Sequence, residues 1–202
     1  MKNLKTNLLS LILLSLSTLS FAQMEYGVKG GVGLSNTTIV HGVSKERVGF
    51  LAGGVAKYQL TTRNENHYLQ AEVLYTTQGE YSLYKEGGDK YKAFLNYINI
   101  PIMYKYYFDD QGKDFFVEGG PQLGFKVSEK FDVGEPESEN NIPKSFDLAF
   151  NIGGGYSIDR KYEINLRYQY GLIDTYDYVS GGWDNGTNRS SFLTLGLTYF
   201  FK

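Results

Sequence analysis

Nine ionisable side chains sit at alternate positions within otherwise regular apolar–polar stretches. They are Lys29, Lys57, Lys105, Lys126 and Arg167 against Glu72, Glu118, Asp147 and Glu163. Their signs nearly balance, and six of them form the candidate interior network: Lys57, Glu72, Lys105, Glu118, Glu163 and Arg167. Opposite charges on neighbouring strands attract, and an unpaired charge in a tight lumen is costly. If the turn "DDQGK" closes symmetrically, Lys105 and Glu118 stand opposite each other. Two kinds of chemistry fit such a set. One is a plug of ion pairs that fills a narrow bore. The other is a narrow ion path gated by pairs that can switch.

Catalysis finds little support. The two histidines, His41 and His67, are predicted at opposite ends of the fold. His41 and Ser44 are close in sequence, but a nucleophile, base and acid must come within hydrogen-bond reach to act together. No catalytic residue is assigned and no enzyme is expected. The acidic loop with Asp132, Glu135, Glu137 and Glu139 offers oxygen ligands, but reads as a solvated loop rather than a calcium site. No helix follows the glycine runs, so they do not form a phosphate cradle. No metal or cofactor is expected. A different surface is offered by Tyr176, Tyr178 and Trp183, set among Gly181, Gly182 and Asn185. Such aromatic loops stack on sugars, dock proteins or pack on themselves.

The elements that position these residues are strands. Period-two alternation runs through Tyr26–Ser35, Val48–Leu60, Tyr68–Thr76, Phe94–Phe108, Phe115–Val127, Phe146–Ile158, Tyr162–Leu172 and Phe192–Phe201. The second, fourth and sixth connections are short: "TTRNEN", "DDQGK" and "DRK". The other four are longer and polar. Even strand number with turns at one end and loops at the other predicts an all-β, closed eight-stranded antiparallel up-and-down transmembrane β-barrel.

A soluble exported barrel of lipocalin type also alternates, with the opposite face turned inward. Three features favour the membrane form. The oily face carries no charge on any strand, as expected where a charge at mid-depth costs about 2–4 kcal/mol. The polar face is rich in glycine: Gly27, Gly31, Gly33, Gly49, Gly53, Gly120, Gly124, Gly153, Gly155, Gly171 and Gly196. A narrow interior needs small residues beside large ones. Finally, aromatics gather at both strand ends. Tyr26, Tyr58, Tyr106, Phe115, Tyr156, Tyr162, Tyr199 and Phe201 lie near the turns, with Phe50, Tyr75, Phe94, Phe125, Phe146 and Tyr170 near the loops. Two belts match the two interfaces of a bilayer.

The ends of the chain set the compartment. Lys2 and Lys5 precede an apolar run from Leu8 to Leu19, and Ser20-Phe21-Ala22 sets small residues before Gln23. Residues 1–22 read as a cleaved secretory signal peptide, and 23–202 as the barrel domain. There is no cysteine, so disulfide and thiolate chemistry are excluded. A formal net charge of −2 gives no bias toward nucleic acid.

The stretches "YGVKGGVGLSN", "YLQAEVLYTTQG", "LNYINIPIMYKYYF", "FFVEGGPQLGF" and "LRYQYGLID" resemble the PorT-like family of small, Bacteroidota-type, porin-family-like outer-membrane barrels. The last strand, "FLTLGLTYFF", also resembles an outer-membrane assembly signal, although Lys202 ends the chain where an aromatic is usual. The resemblance covers essentially the whole mature chain. It implies residence in the outer membrane, contact with its lipid, assembly by the membrane's insertion machinery through the last strand, and a monomer. An extracellular protein or glycan is the expected partner of the loops. The namesake subgroup implies a part in secretion across the outer membrane, and nothing in the residues singles that role out. A structural or interaction role, a narrow pore or secretion accessory, and a soluble binding barrel therefore stand as alternatives.

Overall fold

Strands that alternate apolar and polar residues bury one face only, and their backbone groups must find partners on both sides. In the computed structural model this requirement closes the sheet. Residues 24–37, 44–61, 66–82, 92–109, 113–131, 142–177 and 189–201 are described. The strands are β1 (Met24–Asn36), β2 (Ser44–Gln59), β3 (His67–Ser82), β4 (Lys92–Tyr107), β5 (Lys113–Phe131), β6 (Ile142–Pro143), β7 (Phe146–Ile158), β8 (Tyr162–Asp174), β9 (Tyr176–Asp177) and β10 (Arg189–Phe201). Eight of them form a closed barrel in the order β1-β10-β8-β7-β5-β4-β3-β2. All neighbours are antiparallel, and β1 meets β10 from Tyr26↔Phe201 to Asn36↔Ser191. The short β6 and β9 pair with each other and join two of the long connections.

The predicted strands are all present, but several run further. β3 continues from Thr76 to Ser82 and β5 from Val127 to Phe131. The pairing register slips between Glu46 and Leu51 on β2, and between Asn96 and Tyr97 where β4 meets β5. Such bulges break the strict period of two, which is why alternation alone stops the strands early.

Side-chain direction follows the predicted faces. Outward residues are apolar and exposed, among them Val73, Ile152, Leu166 and Leu197. The aromatics at the strand ends meet in ring contacts. At the turn end, Tyr162 and Tyr199 lie 5.2 Å apart and Phe115 and Tyr156 5.1 Å apart. At the loop end, Phe125 and Phe146 lie 5.6 Å apart. The turn after β7 is tight, with Asp159 and Arg160 both at φ 54. That twist suits a two-residue hairpin.

Inward glycines are demanded by the narrow bore. A Cβ on Gly53 would lie 1.9 Å from the Val73 carbonyl oxygen, whereas one on Gly54, which faces outward, would meet nothing within 4 Å. Gly53→Ala is therefore expected to cost about 1–3 kcal/mol, because the obstacle is backbone that must move. Gly54→Ala should change stability by less than about 0.5 kcal/mol. Urea unfolding in lipid vesicles measures both. Equal effects at the two positions would contradict the assigned faces.

Candidate functional site

The bore contains one continuous ladder of alternating charge. Lys29 on β1 donates to Glu72 on β3 at 3.2 Å. Arg167 on β8 grips the same carboxylate with two nitrogens, each at 2.8 Å. Its Nε donates to Glu118 on β5 at 2.9 Å. Lys105 on β4 stands 3.5 Å from the other oxygen of Glu118 and 2.6 Å from Glu163 on β8. Lys57 on β2 lies 3.4 Å from Glu163 and 3.4 Å from Glu25 at the turn-end mouth. Four cations thus alternate with four carboxylates, and the ladder is neutral. Amides complete it: Asn165 donates to Glu118 at 2.8 Å, and Lys105 donates to Gln70 at 2.8 Å.

All six predicted network residues, Lys57, Glu72, Lys105, Glu118, Glu163 and Arg167, lie in this ladder. Lys105 and Glu118 are register partners across the turn between β4 and β5. Glu72 and Arg167 come from strands that are not neighbours, so their pairing crosses the lumen. Each is almost fully buried. Bidentate arginine–carboxylate contact is the strong form of such a bond. Removing one member of a buried pair leaves an uncompensated charge, so the ladder holds as a unit.

Three parts of the site were not read from the sequence. The first is an aromatic seal at the turn end, where Tyr68, Tyr107, Phe116 and Phe200 all point inward and are buried. The Lys57 ammonium sits 3.9 Å above the Phe200 ring, and that of Lys105 sits 4.3 Å above Phe116. Tyr107 accepts a hydrogen bond from Lys57 at 3.1 Å and donates to Glu163. The second is Arg160, read only as part of a short turn. It folds under the mouth, 3.9 Å from the Tyr107 ring, and donates to the Asp109 carbonyl at 2.6 Å and to Asp114 at 3.2 Å. The third is Glu25, one residue before the predicted first strand. Alternation finds none of these reliably, because an inward aromatic breaks the polar-inside rule.

The remaining candidates fall elsewhere. Lys126 pairs with Glu129 at 2.5 Å, away from the ladder. His67 lies at the turn end, 2.6 Å from the Tyr104 hydroxyl. The Tyr176 backbone pairs with Pro143. Tyr178, Trp183, His41 and the acidic loop of Asp132, Glu135, Glu137 and Glu139 lie outside the described residues. Among the described residues, no group of three or more His, Asp or Glu could hold a metal ion.

A closed eight-stranded barrel, apolar outside and ionic inside, is built for a membrane, since every backbone group is paired within the protein. Residues 21–177 match the family model described as "Outer membrane protein beta-barrel domain". The chain belongs to this family. It is an outer-membrane barrel in contact with membrane lipid, and the soluble lipocalin-like alternative is set aside. The same architecture occurs in solved structures. Ail, the attachment invasion locus protein of Yersinia pestis, is 16% identical with TM-score 0.51, covering 89% of this chain and 99% of that one. OprG from Pseudomonas aeruginosa is 13% identical with TM-score 0.50, covering 89% and 96%. At this identity the likeness is one of fold. No curated protein matches the chain.

Proposed function

We propose that this outer-membrane barrel is a closed-bore structural or interaction protein whose outer loops are its contact surface. One observation carries the reading: the neutral ladder from Lys29 to Glu25 occupies the bore and ends on an aromatic seal. A pore needs a hydrated path, and buried ion pairs with satisfied hydrogen bonds fill that path with side chains. Function then falls to what protrudes. The loop pairing of β6 with β9 supports an organised outer surface. The aromatic run of Tyr176, Tyr178 and Trp183 supports stacking on a glycan or an exposed protein segment.

The test is binding of the barrel, held in lipid nanodiscs, to glycan arrays and to surface proteins of neighbouring cells. Binding is expected, and Trp183→Ala should reduce it at least tenfold with the barrel still folded. Binding unchanged in Trp183→Ala removes this loop as the contact surface.

A second reading is a narrow ion path. Lys105 and Lys57 each stand between two carboxylates, so each has two partners to choose from. That arrangement allows pairing to switch, and it requires measurable conductance, which the closed reading excludes. Membership of the PorT-like subgroup and a part in secretion belong to the same level of proposal. They require a partner in a secretion machine.

A further inference from the structure

The loop-end half of the bore is built differently from the ladder. Asp147 on β7 is 6% exposed and forms no ion pair among the described residues. Ser190 donates to its Oδ2 at 2.9 Å, while Oδ1 is buried with no hydrogen-bond partner. In register, Asp147 faces Gly124 on β5, and Gly124 faces Asn99 on β4. A Cβ on Gly124 would lie 2.9 Å from Asn99 Oδ1 and 3.2 Å from Asp147 Cβ. Both side chains therefore lean over the same glycine.

The Asn99 amide has only one consistent orientation. The Thr76 hydroxyl donates its single proton to the Tyr97 carbonyl at 3.5 Å. It accepts from Gln78 Nε2 and Asn99 Nδ2, each at 3.0 Å. A flipped Asn99 would set its oxygen against a hydroxyl with no proton left to give. The amide oxygen is thus held over Gly124, and it too is buried with no donor. Two acceptors, one of them anionic, converge where nothing positive meets them. Buried polar groups are costly in that state. Lys126, two residues along β5 on the same face, does not serve. Its ammonium is engaged by Glu129 and the Pro143 carbonyl, each at 2.5 Å.

We propose that Asp147 and Asn99 bind a monovalent cation above Gly124, admitted from the loop end of the barrel. A single carboxylate with neutral oxygens matches one positive charge, whereas Ca²⁺ takes six to eight oxygens, usually with more carboxylates. Entry from the turn end is blocked by Arg167 and Lys29. This goes beyond the contact-surface reading and stands independently of it.

The test compares thermal unfolding of the detergent-solubilised barrel in KCl, NaCl or RbCl with choline chloride at equal ionic strength. Crystals soaked in Rb⁺ are read by anomalous scattering. The expected result is a saturable rise in midpoint with the alkali cations alone, absent in Asp147→Asn and weakened in Asn99→Leu. Rubidium should scatter beside Asp147. Asp147→Asn keeps the side-chain shape, so its folded yield should match the wild type. Equal midpoints in choline and alkali chlorides would overturn the proposal. So would an unchanged cation response in Asp147→Asn, which would mean surface binding. An infrared band of a protonated carboxyl that vanishes in Asp147→Asn would put a proton in the cation's place and overturn it as well.

Discussion

Leu166→Arg is expected to cost about 2–4 kcal/mol and to lower sharply the yield of folded barrel in the outer membrane. Leu166 is 54% exposed on the outer face of β8. It lies midway between Tyr162 at the turn-end belt and Tyr170 at the loop end. Its register partners are Leu195 on β10 and Gly154 on β7, so no outward polar group is at hand to receive a guanidinium. The charge must stay in hydrocarbon or drag water and headgroups inward. Depth supplies the control. Leu172→Arg, on the same face but near the loop end, should cost only about 0–1 kcal/mol, because the cost falls toward the interface. Urea titration in vesicles measures both changes. Equal costs at the two depths would contradict the assigned membrane position.

Arg167→Met is expected to cost about 3–5 kcal/mol, the usual loss when one partner of a buried ion pair is removed. Arg167 serves two carboxylates at once, Glu72 and Glu118. Without it the ladder holds three cations and four carboxylates. Lys29 and Lys105 remain in contact with the two orphaned groups and soften the loss. The triple variant Arg167→Met with Glu72→Gln and Glu118→Gln should recover more than half of it, because hydrogen-bonding amides replace uncompensated charges. Unfolding in vesicles gives both values. A single variant as stable as the wild type would show that the ladder does not hold the bore together.

Much of this was legible in the residues because a strand has a period of two. The opposed faces of Tyr162, Ile164, Leu166 and Tyr168 against Glu163, Asn165 and Arg167 lie on β8 as alternation predicts. The inward glycines follow the same parity, and the Gly53–Gly54 contrast shows its physical basis in available space. Lys105 and Glu118 could be paired from the sequence because a short turn fixes their register.

What stayed hidden depends on closure. Glu72 and Arg167 meet across the lumen, and no local pattern encodes which residues share a depth on distant strands. Tyr107 and Phe116 were hidden for another reason. They are oily residues on the polar face, where cations above their rings make aromatic surface serviceable. Arg160 was hidden because a turn residue can fold back over the mouth it borders. Strand ends past Thr76 and Val127 were lost to bulges.

The closed bore is the centre of this account, and electrical recording from the purified barrel in planar bilayers tests it most directly. The ladder and its aromatic seal predict no stable single-channel steps from the wild type. Stable steps in the wild type, larger in Glu118→Ala, would contradict a plugged barrel and establish the narrow ion path.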